Sequence, residues 1–282
     1  MSHVLVTGAG RGIGLAIAKE MAGPDTEVVG TVRDSGRAKQ LSADFSGTIK
    51  FAPLHLGSDH TDTDIAALVE TYSNTGLDVL IHNAGYGIFG PVECIDAQAE
   101  IHQFRVNVLD PMRLTRALLP AIRQSRGRII FIGSLAGRIT LPFQGHYSAT
   151  KSALASLSEA LRMELGPDGI QVTCLEPGDF ATGFPDARES HLDVGVYTER
   201  AKRCLEAVER DERGGADPAQ VAKLVRKFCE ARKMPVRRAV GPGARSLGWA
   251  SRLFPETLRL KLTLQHYGIA ENRRSLQKRK ND

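Results

Sequence analysis

His3-Val4-Leu5-Val6-Thr7-Gly8-Ala9-Gly10-Arg11-Gly12-Ile13-Gly14 runs from an apolar strand pattern through a glycine-rich turn into a helix pattern. Glycines permit a tight turn and let backbone N–H groups approach a pyrophosphate at a helix N-terminus. The usual dinucleotide fingerprint, G-x-G-x-x-G, is not matched in register. Gly8, Gly12 and Gly14 instead give T-G-x-x-x-G-x-G. A glycine-rich turn alone could be purely structural. Set between a first strand and a first helix, it points to a dinucleotide site.

Beyond this turn the alternation continues. Strand patterns fall at 27–32, 49–54, 77–83, 128–133, 171–175 and 237–240. Helix patterns fall at 12–21, 35–43, 63–72, 145–165 and 217–230, with one long helical stretch from Asp96 to Gln124. The strands are rich in Val, Ile and Leu without clean alternation, as in sheets covered on both faces. Regular β–α alternation over this length predicts an α/β fold: a Rossmann-type, doubly wound parallel sheet with right-handed crossovers. Ligands bind such sheets at the carboxyl ends of the strands, near the switch in strand order.

Two segments break the rhythm. Gly178 to Ala216 shows no strand and follows the sixth predicted strand, where a lid over the ligand crevice could lie. Residues 241–282 extend past the last strand. Their apolar residues, interrupted by Pro255, read as two short amphipathic helices that pack on the body or on a second subunit. Membrane-surface binding is the lesser alternative. The chain therefore divides into a 1–240 domain with a 178–216 lid, and a helical extension with a basic tail.

With 282 residues the chain can bury a real core, and 42% apolar and 24% charged residues are ordinary for a globular protein. No apolar run is long enough to span a bilayer. The N-terminus lacks the basic start and apolar core of a signal peptide, so the expected compartment is the cytoplasm. The four cysteines form no C-x-x-C pair, and no metal site is expected. The net charge of +5 owes much to the segment 273–280, but no nucleic-acid module accompanies it, so no nucleic-acid partner is expected.

The second strand ends in Thr31-Val32-Arg33-Asp34. An acidic residue here would hold an NAD ribose, about 20 residues beyond the glycine turn. Arg33 is instead suited to a 2′-phosphate, with Arg11 from the glycine turn beside it. NADP(H) is therefore expected over NAD, although Asp34 could serve a ribose if the strand ended one residue later.

Tyr147 and Lys151 stand four apart on a predicted helix, so their side chains share a face. An ammonium beside a phenol favours the phenolate and lowers its pKa, which suits a general acid/base. Further upstream, Asn107 precedes Pro111 by four residues. Proline has no N–H, so the Asn107 carbonyl is left for another partner such as water.

Taken together, the Thr7–Gly14 turn, Asn83-Ala84-Gly85, Asn107, Ser134, Tyr147-x-x-x-Lys151 and Pro177-Gly178 with Thr182 resemble the short-chain dehydrogenase/reductases over residues 1–240. The stretch from Gly76 to Phe184 is most similar to the hydroxysteroid and retinol dehydrogenase branch. The resemblance implies catalytic roles for Asn107, Ser134, Tyr147 and Lys151. Tyr147 would exchange the proton, Ser134 would hold the carbonyl oxygen, and Lys151 would tune Tyr147 and hold the nicotinamide ribose. The backbone carbonyl of Asn107 would hold a relay water. Gly8, Arg11, Gly12, Ile13, Gly14, Arg33, Asn83, Gly85, Pro177, Gly178 and Thr182 would bind the cofactor along with Tyr147 and Lys151. The family often has Asp near the end of the third strand, where this chain has His55. The implied activity is NADP(H)-dependent interconversion of a carbonyl and an alcohol. Phe143, Phe180, Phe184 and Tyr197 suggest either an apolar steroid-, retinoid- or polyketide-like substrate or ordinary packing of the lid. A homodimer or homotetramer is expected through the 96–124 and 145–165 helices. The alternatives are a non-catalytic NADP(H) sensor and a sugar-nucleotide epimerase or dehydratase, whose T-G-x-x-G-x-x-G turn is absent here.

Overall fold

In the computed structural model, which describes residues 1–183, 188–244, 246, 248 and 253–269, seven parallel strands form one sheet. In chain order the elements begin β1 (Ser2–Val6), α1 (Gly12–Met21), β2 (Thr26–Val32), α2 (Ser35–Asp44), β3 (Ile49–Pro53), α3 (Thr61–Tyr72) and β4 (Val79–His82). A two-residue β5 (Ile88–Phe89) precedes α4 (Ala97–Phe104), α5 (Asp110–Ser125), β6 (Arg128–Ile132), α6 (Gly145–Leu165) and β7 (Gln171–Pro177). The chain then forms β8 (Glu189–Ser190), α7 (Thr198–Arg213), α8 (Ala219–Glu230), β9 (Arg237–Val240) and α9 (Glu256–His266).

The order across the sheet is β3-β2-β1-β4-β6-β7-β9. The winding reverses between β1 and β4, which opens a crevice at their carboxyl ends. Successive residues of β1 go to opposite faces: Val4 and Val6 join the core with Ile17 and Val225, whereas Leu5 joins the core with Leu114, Leu118 and Leu154. Burial on both faces explains why the strands read as unbroken apolar runs.

The long helical stretch expected from Asp96 to Gln124 is present, with a π turn at Arg105–Leu109 between α4 and α5. Pro111 cannot donate to the Asn107 carbonyl and its ring crowds the preceding turn, so the helix widens there. The segment expected to lack strands contains β8, which pairs in parallel with β5, Ile88 opposite Glu189 and Phe89 opposite Ser190. The same segment contains α7, a mostly charged helix whose core contacts are Ala201, Cys204, Ala207 and Val208. Ala201, Cys204, Leu205 and Val208 recur at i, i+3, i+4 and i+7, the spacing of an amphipathic helix. In the extension, α9 starts right after Pro255, where the split was expected. The helix expected before Pro255 lies largely outside the described residues, as does the basic tail. No helix among the described residues is long and apolar enough to cross a membrane.

Candidate active site

A cleft of about 740 Å³ runs along the carboxyl ends of β1, β4, β6 and β7. At one end its wall is the glycine turn. Gly8 and Gly12 have φ of +65° and +55°, a region that side chains disfavour. A Cβ on Gly8 would lie 2.8 Å from the Ala84 Cα, so no other residue fits there. The turn is pinned to the β4 loop. The Thr7 Oγ1 accepts from the Asn83 and Ala84 N–H groups at 3.0 Å, and the Asn83 amide donates to the Thr7 and Gly8 carbonyls, also at 3.0 Å. The Asn83 side chain thus locks the cradle together as well as bordering it.

Gly8, Arg11, Gly12, Ile13, Arg33, Asn83 and Gly85 all border the cleft, as do Pro177, Gly178 and Thr182 across from them. Gly14 does not. It sits behind the turn, where a Cβ would collide with the Gly8 carbonyl oxygen at 2.3 Å, so its part is packing rather than contact. Arg11 and Arg33 are exposed on the rim and form no ion pair among the described residues. Asp34 is engaged elsewhere: its carboxylate N-caps α2 by accepting from the Arg37 N–H at 2.5 Å. Strand β2 ends at Val32, and Asp34 borders the cleft next to Arg33, so both residues of this strand end reach the ligand space. His55 is turned toward Asp64, bonding it through its backbone N–H and its ring.

At the cleft floor, Ser134 caps the short turn Leu135–Gly137 by accepting from the Ala136 N–H at 3.1 Å. Gly137 lets that turn lie against α6, since a Cβ there would meet the Lys151 backbone at 2.9 Å. The contact brings the Ser134 hydroxyl into a hydrogen bond with the Tyr147 phenol on the first turn of α6. One turn on, Lys151 is buried; its Nζ donates to the Ile132 carbonyl at 3.0 Å and lies 5.6 Å from the Tyr147 ring centre. Gly85 lies close to the Asn107 amide, where a Cβ would come within 3.1 Å of Oδ1.

Asn107 does not border the cleft. Its buried amide clamps the β4 loop to α6: Oδ1 accepts from the Tyr86 N–H at 3.0 Å, and Nδ2 donates to the Tyr86 carbonyl at 2.9 Å and to Thr150 Oγ1 at 3.1 Å. Thr150 immediately precedes Lys151, so the clamp fixes the helix turn that carries the lysine.

Burial governs the electrostatics. Tyr147 faces the cleft, yet the surrounding protein pushes its phenol up to about 12, against a smaller downward pull from the Ser134 hydrogen bond. Burial also lowers Lys151 to about 8, because the charged form loses its water. The expectation of a depressed Tyr147 is therefore reversed in the free protein: at this distance the lysine does not offset desolvation.

The other end of the cleft holds residues the sequence did not single out. Asp179, Asp211 and Glu212 border it, together with Val208 and Tyr267. Glu212 is ion-paired with the buried Arg188. Burial raises the Asp179 and Glu212 carboxyls, and neighbouring carboxylates raise them further. Asp179 follows Pro177-Gly178 directly and was within reach of a sequence reading. Glu212 was not, because it lies on α7. Phe180 borders the cleft, but Phe143 does not: it stacks on Phe89 in a separate small apolar cluster with Ala201 and Cys204, with the Tyr197 ring edge-on to it at 6.3 Å. Phe184 lies outside the described residues. Among the described residues no group of His, Cys, Asp and Glu is arranged to hold a metal.

Residues 2–193 match the family model for short chain dehydrogenases. A 3-ketodihydrosphingosine reductase of Bacteroides thetaiotaomicron is 33% identical over 85% of this chain and 87% of its own length. Human 17-beta-hydroxysteroid dehydrogenase type 1 is 34% identical over 83% of this chain and 76% of its own. An NADPH-dependent 3-dehydrocapnine reductase of Ornithobacterium rhinotracheale is 29% identical over 92% of this chain and 94% of its own. A short-chain dehydrogenase of Streptomyces avermitilis has a similar solved structure, with a TM-score of 0.78 at 32% identity, covering 93% of this chain and 94% of that one.

Proposed function

The chain belongs to the short-chain dehydrogenase family, a family of oxidoreductases that bind nicotinamide cofactors, and on that premise we propose that it uses NADPH to reduce a ketone or aldehyde to an alcohol. One observation carries the reading: the Tyr147 phenol, bonded to Ser134 and one turn from Lys151, faces a cleft whose far end is a glycine cradle flanked by two unpaired arginines.

Bound NADPH supplies a hydride to the carbonyl carbon. The Tyr147 hydroxyl donates the proton that the carbonyl oxygen needs as it gains charge. A phenol held near 12 is protonated at neutral pH and can therefore serve as the acid in reduction. The Ser134 hydroxyl donates to the same oxygen and stabilises the developing charge. Lys151, still largely protonated at neutral pH, binds the nicotinamide ribose through Nζ, with Asn107 keeping its helix turn in place. Arg11 and Arg33 bind the 2′-phosphate that distinguishes NADPH from NADH. Loss of Ser134, Tyr147 or Lys151 would favour a sensor without turnover, and all three are present.

The substrate end refines the expected substrate. Phe180, Val208 and Tyr267 supply apolar surface, and Asp179, Asp211 and Glu212 supply negative charge. This suits an apolar ketone that also carries an ammonium group, the compound class of 3-ketodihydrosphingosine. Residues 178–216 act as its lid. The enzyme works in the cytoplasm as a homodimer or homotetramer, paired through helices that expose Ile101, Leu109 and Met163. Screening carbonyl compounds for NADPH oxidation tests the reading, with long-chain amino ketones set against steroid and retinoid carbonyls. NADPH binding without oxidation by any of them would favour the sensor.

A further inference from the structure

Glu176 is fully buried near the end of β7, immediately before the Pro177-Gly178 wall of the cleft. Two guanidiniums share its carboxylate. Arg138 donates to Oε2 from Nε at 2.6 Å, with Nη2 also 2.5 Å away. Arg237 on β9 donates to Oε1 from Nε at 2.9 Å and from Nη2, and reaches Glu159 on α6 at 3.3 Å. Arg138 is the residue that ends the Leu135–Gly137 turn capped by Ser134. That turn leaves β6 through Gly133, whose N–H donates to the Leu175 carbonyl at 2.7 Å. Arg138 then returns the chain to Glu176, the next residue of β7. Both ends of the Ser134 turn are thus tied to successive residues of one strand. The turn also rests on α6, where the Ser152 hydroxyl donates to the Gly137 carbonyl at 2.8 Å.

We propose that the Arg138–Glu176 pair is a positioning device for Ser134: it holds the Leu135–Gly137 turn where the Ser134 hydroxyl meets both Tyr147 and the reacting carbonyl oxygen. The proposal rests on the reductase reading above, since only turnover gives that hydroxyl a task. Stability does not account for the arrangement by itself. Burying charges costs their hydration, and apolar residues of the same volume are often at least as stable. What a planar guanidinium on a carboxylate adds is a fixed distance and direction. A donor to a developing oxyanion needs that precision, because a misplacement of about 1 Å can cost turnover about a hundredfold. Neither Arg138 nor Glu176 borders the cleft, so both act through Ser134. Fastening β7 to β9 and α6 falls instead to Arg237, which bonds the other carboxylate oxygen.

The test is a double-mutant cycle of Arg138→Met with Ser134→Ala, read in steady-state turnover of a carbonyl that the parent reduces. Ser134→Ala should lower kcat by about 10²–10³-fold, the usual loss with one donor to a developing oxyanion. Arg138→Met should lower kcat by about tenfold and leave the NADPH Kd within about twofold of the parent. In the Ser134→Ala background the same substitution should change kcat by less than about twofold, because the hydroxyl it serves is gone. Glu176 keeps Arg237 in this variant, so the chain should fold, which thermal melts check. Should it melt out, Arg138→Lys, which keeps the charge without the planar fork, takes its place in the cycle with a smaller loss of the same kind. An equal loss in both backgrounds would overturn the proposal, since the pair would then act without Ser134; so would a variant as active as the parent. A parent that binds NADPH but reduces no carbonyl would instead remove the reductase reading, and this proposal with it.

Discussion

The two ends of the cleft are built differently. The nucleotide end is held by backbone: Thr7, Asn83 and Gly8 form a closed set of hydrogen bonds between the β1 and β4 loops, and its glycines have no substitutes. The opposite end is lined by side chains, with carboxylates from Asp179 and α7 and an aromatic ring from Tyr267 just after α9. The first geometry rests on backbone positions that few residues can fill. The second can be rewritten by substitution without disturbing the sheet, so under the proposed function it is the end that sets the substrate.

Tyr147 stands where the two ends meet, and the sharpest break is made there. Tyr147→Phe keeps the ring packed and removes only the hydroxyl, so NADPH binding should be unchanged. Turnover should fall by about 10²–10⁴-fold, the usual loss with a general acid/base. Steady-state NADPH oxidation beside a cofactor titration checks both halves of the claim. Near-full activity would move the proton donor elsewhere, with His146 the first neighbour to examine.

At the nucleotide end alone, Arg33→Ala should weaken NADPH by roughly 10- to 150-fold and leave NADH nearly unaffected. A charged hydrogen bond to phosphate is worth about 1.5–3 kcal/mol. Titrating both cofactors into both proteins decides it. Equal losses would mean that Arg33 acts on something common to the two.

At the substrate end, Glu212→Gln keeps the shape and removes the charge. For a cationic ketone KM should rise by about fivefold to tenfold, with little change for a neutral ketone, because the charge acts across a partly solvated cleft. A matched pair of substrates, with and without the amine, makes the comparison. Equal effects on the two would show that Glu212 serves only to hold Arg188.

The difference between the ends also explains what the sequence disclosed. The glycine turn and the Tyr147–Lys151 pair were legible from local geometry, a φ that only glycine tolerates or two side chains one helical turn apart, whereas Asn83 and Ser134 were legible only through the family resemblance. The sheet was legible from its apolar runs. The role of Asn107 was half visible. Pro111 announced a disturbed helix, but the clamp from its side chain to Tyr86 and Thr150 joins three distant segments. Helix α7 left a readable stripe in Ala201, Cys204, Leu205 and Val208, whereas Glu212 meets the cleft only through tertiary packing. The Tyr147 pKa was misjudged for a related reason. Spacing shows who the neighbours are, whereas desolvation depends on everything packed around them.

The smallest effect expected is on stability, and it comes from Lys151, whose charge is buried for the sake of the site. Its folded pKa of about 8 lies below its ordinary value of 10.5. Between those two values the unfolded chain binds more protons than the folded one, so this group makes stability rise with pH across that window. Below about pH 8 the folded protein carries the full cost of a buried ammonium. Lys151→Met fills the same space without the charge. At pH 7 it should raise the melting temperature by a few degrees while turnover falls, the usual trade between a strained site and stability. The gain should shrink from pH 8 towards pH 10, as the parent lysine loses its proton. Melting scans of parent and variant across that range read the difference directly. If the variant melts lower at pH 7, the hydrogen bond from Nζ to the Ile132 carbonyl outweighs the cost of burying the charge, and the nucleotide end owes part of its rigidity to the lysine itself.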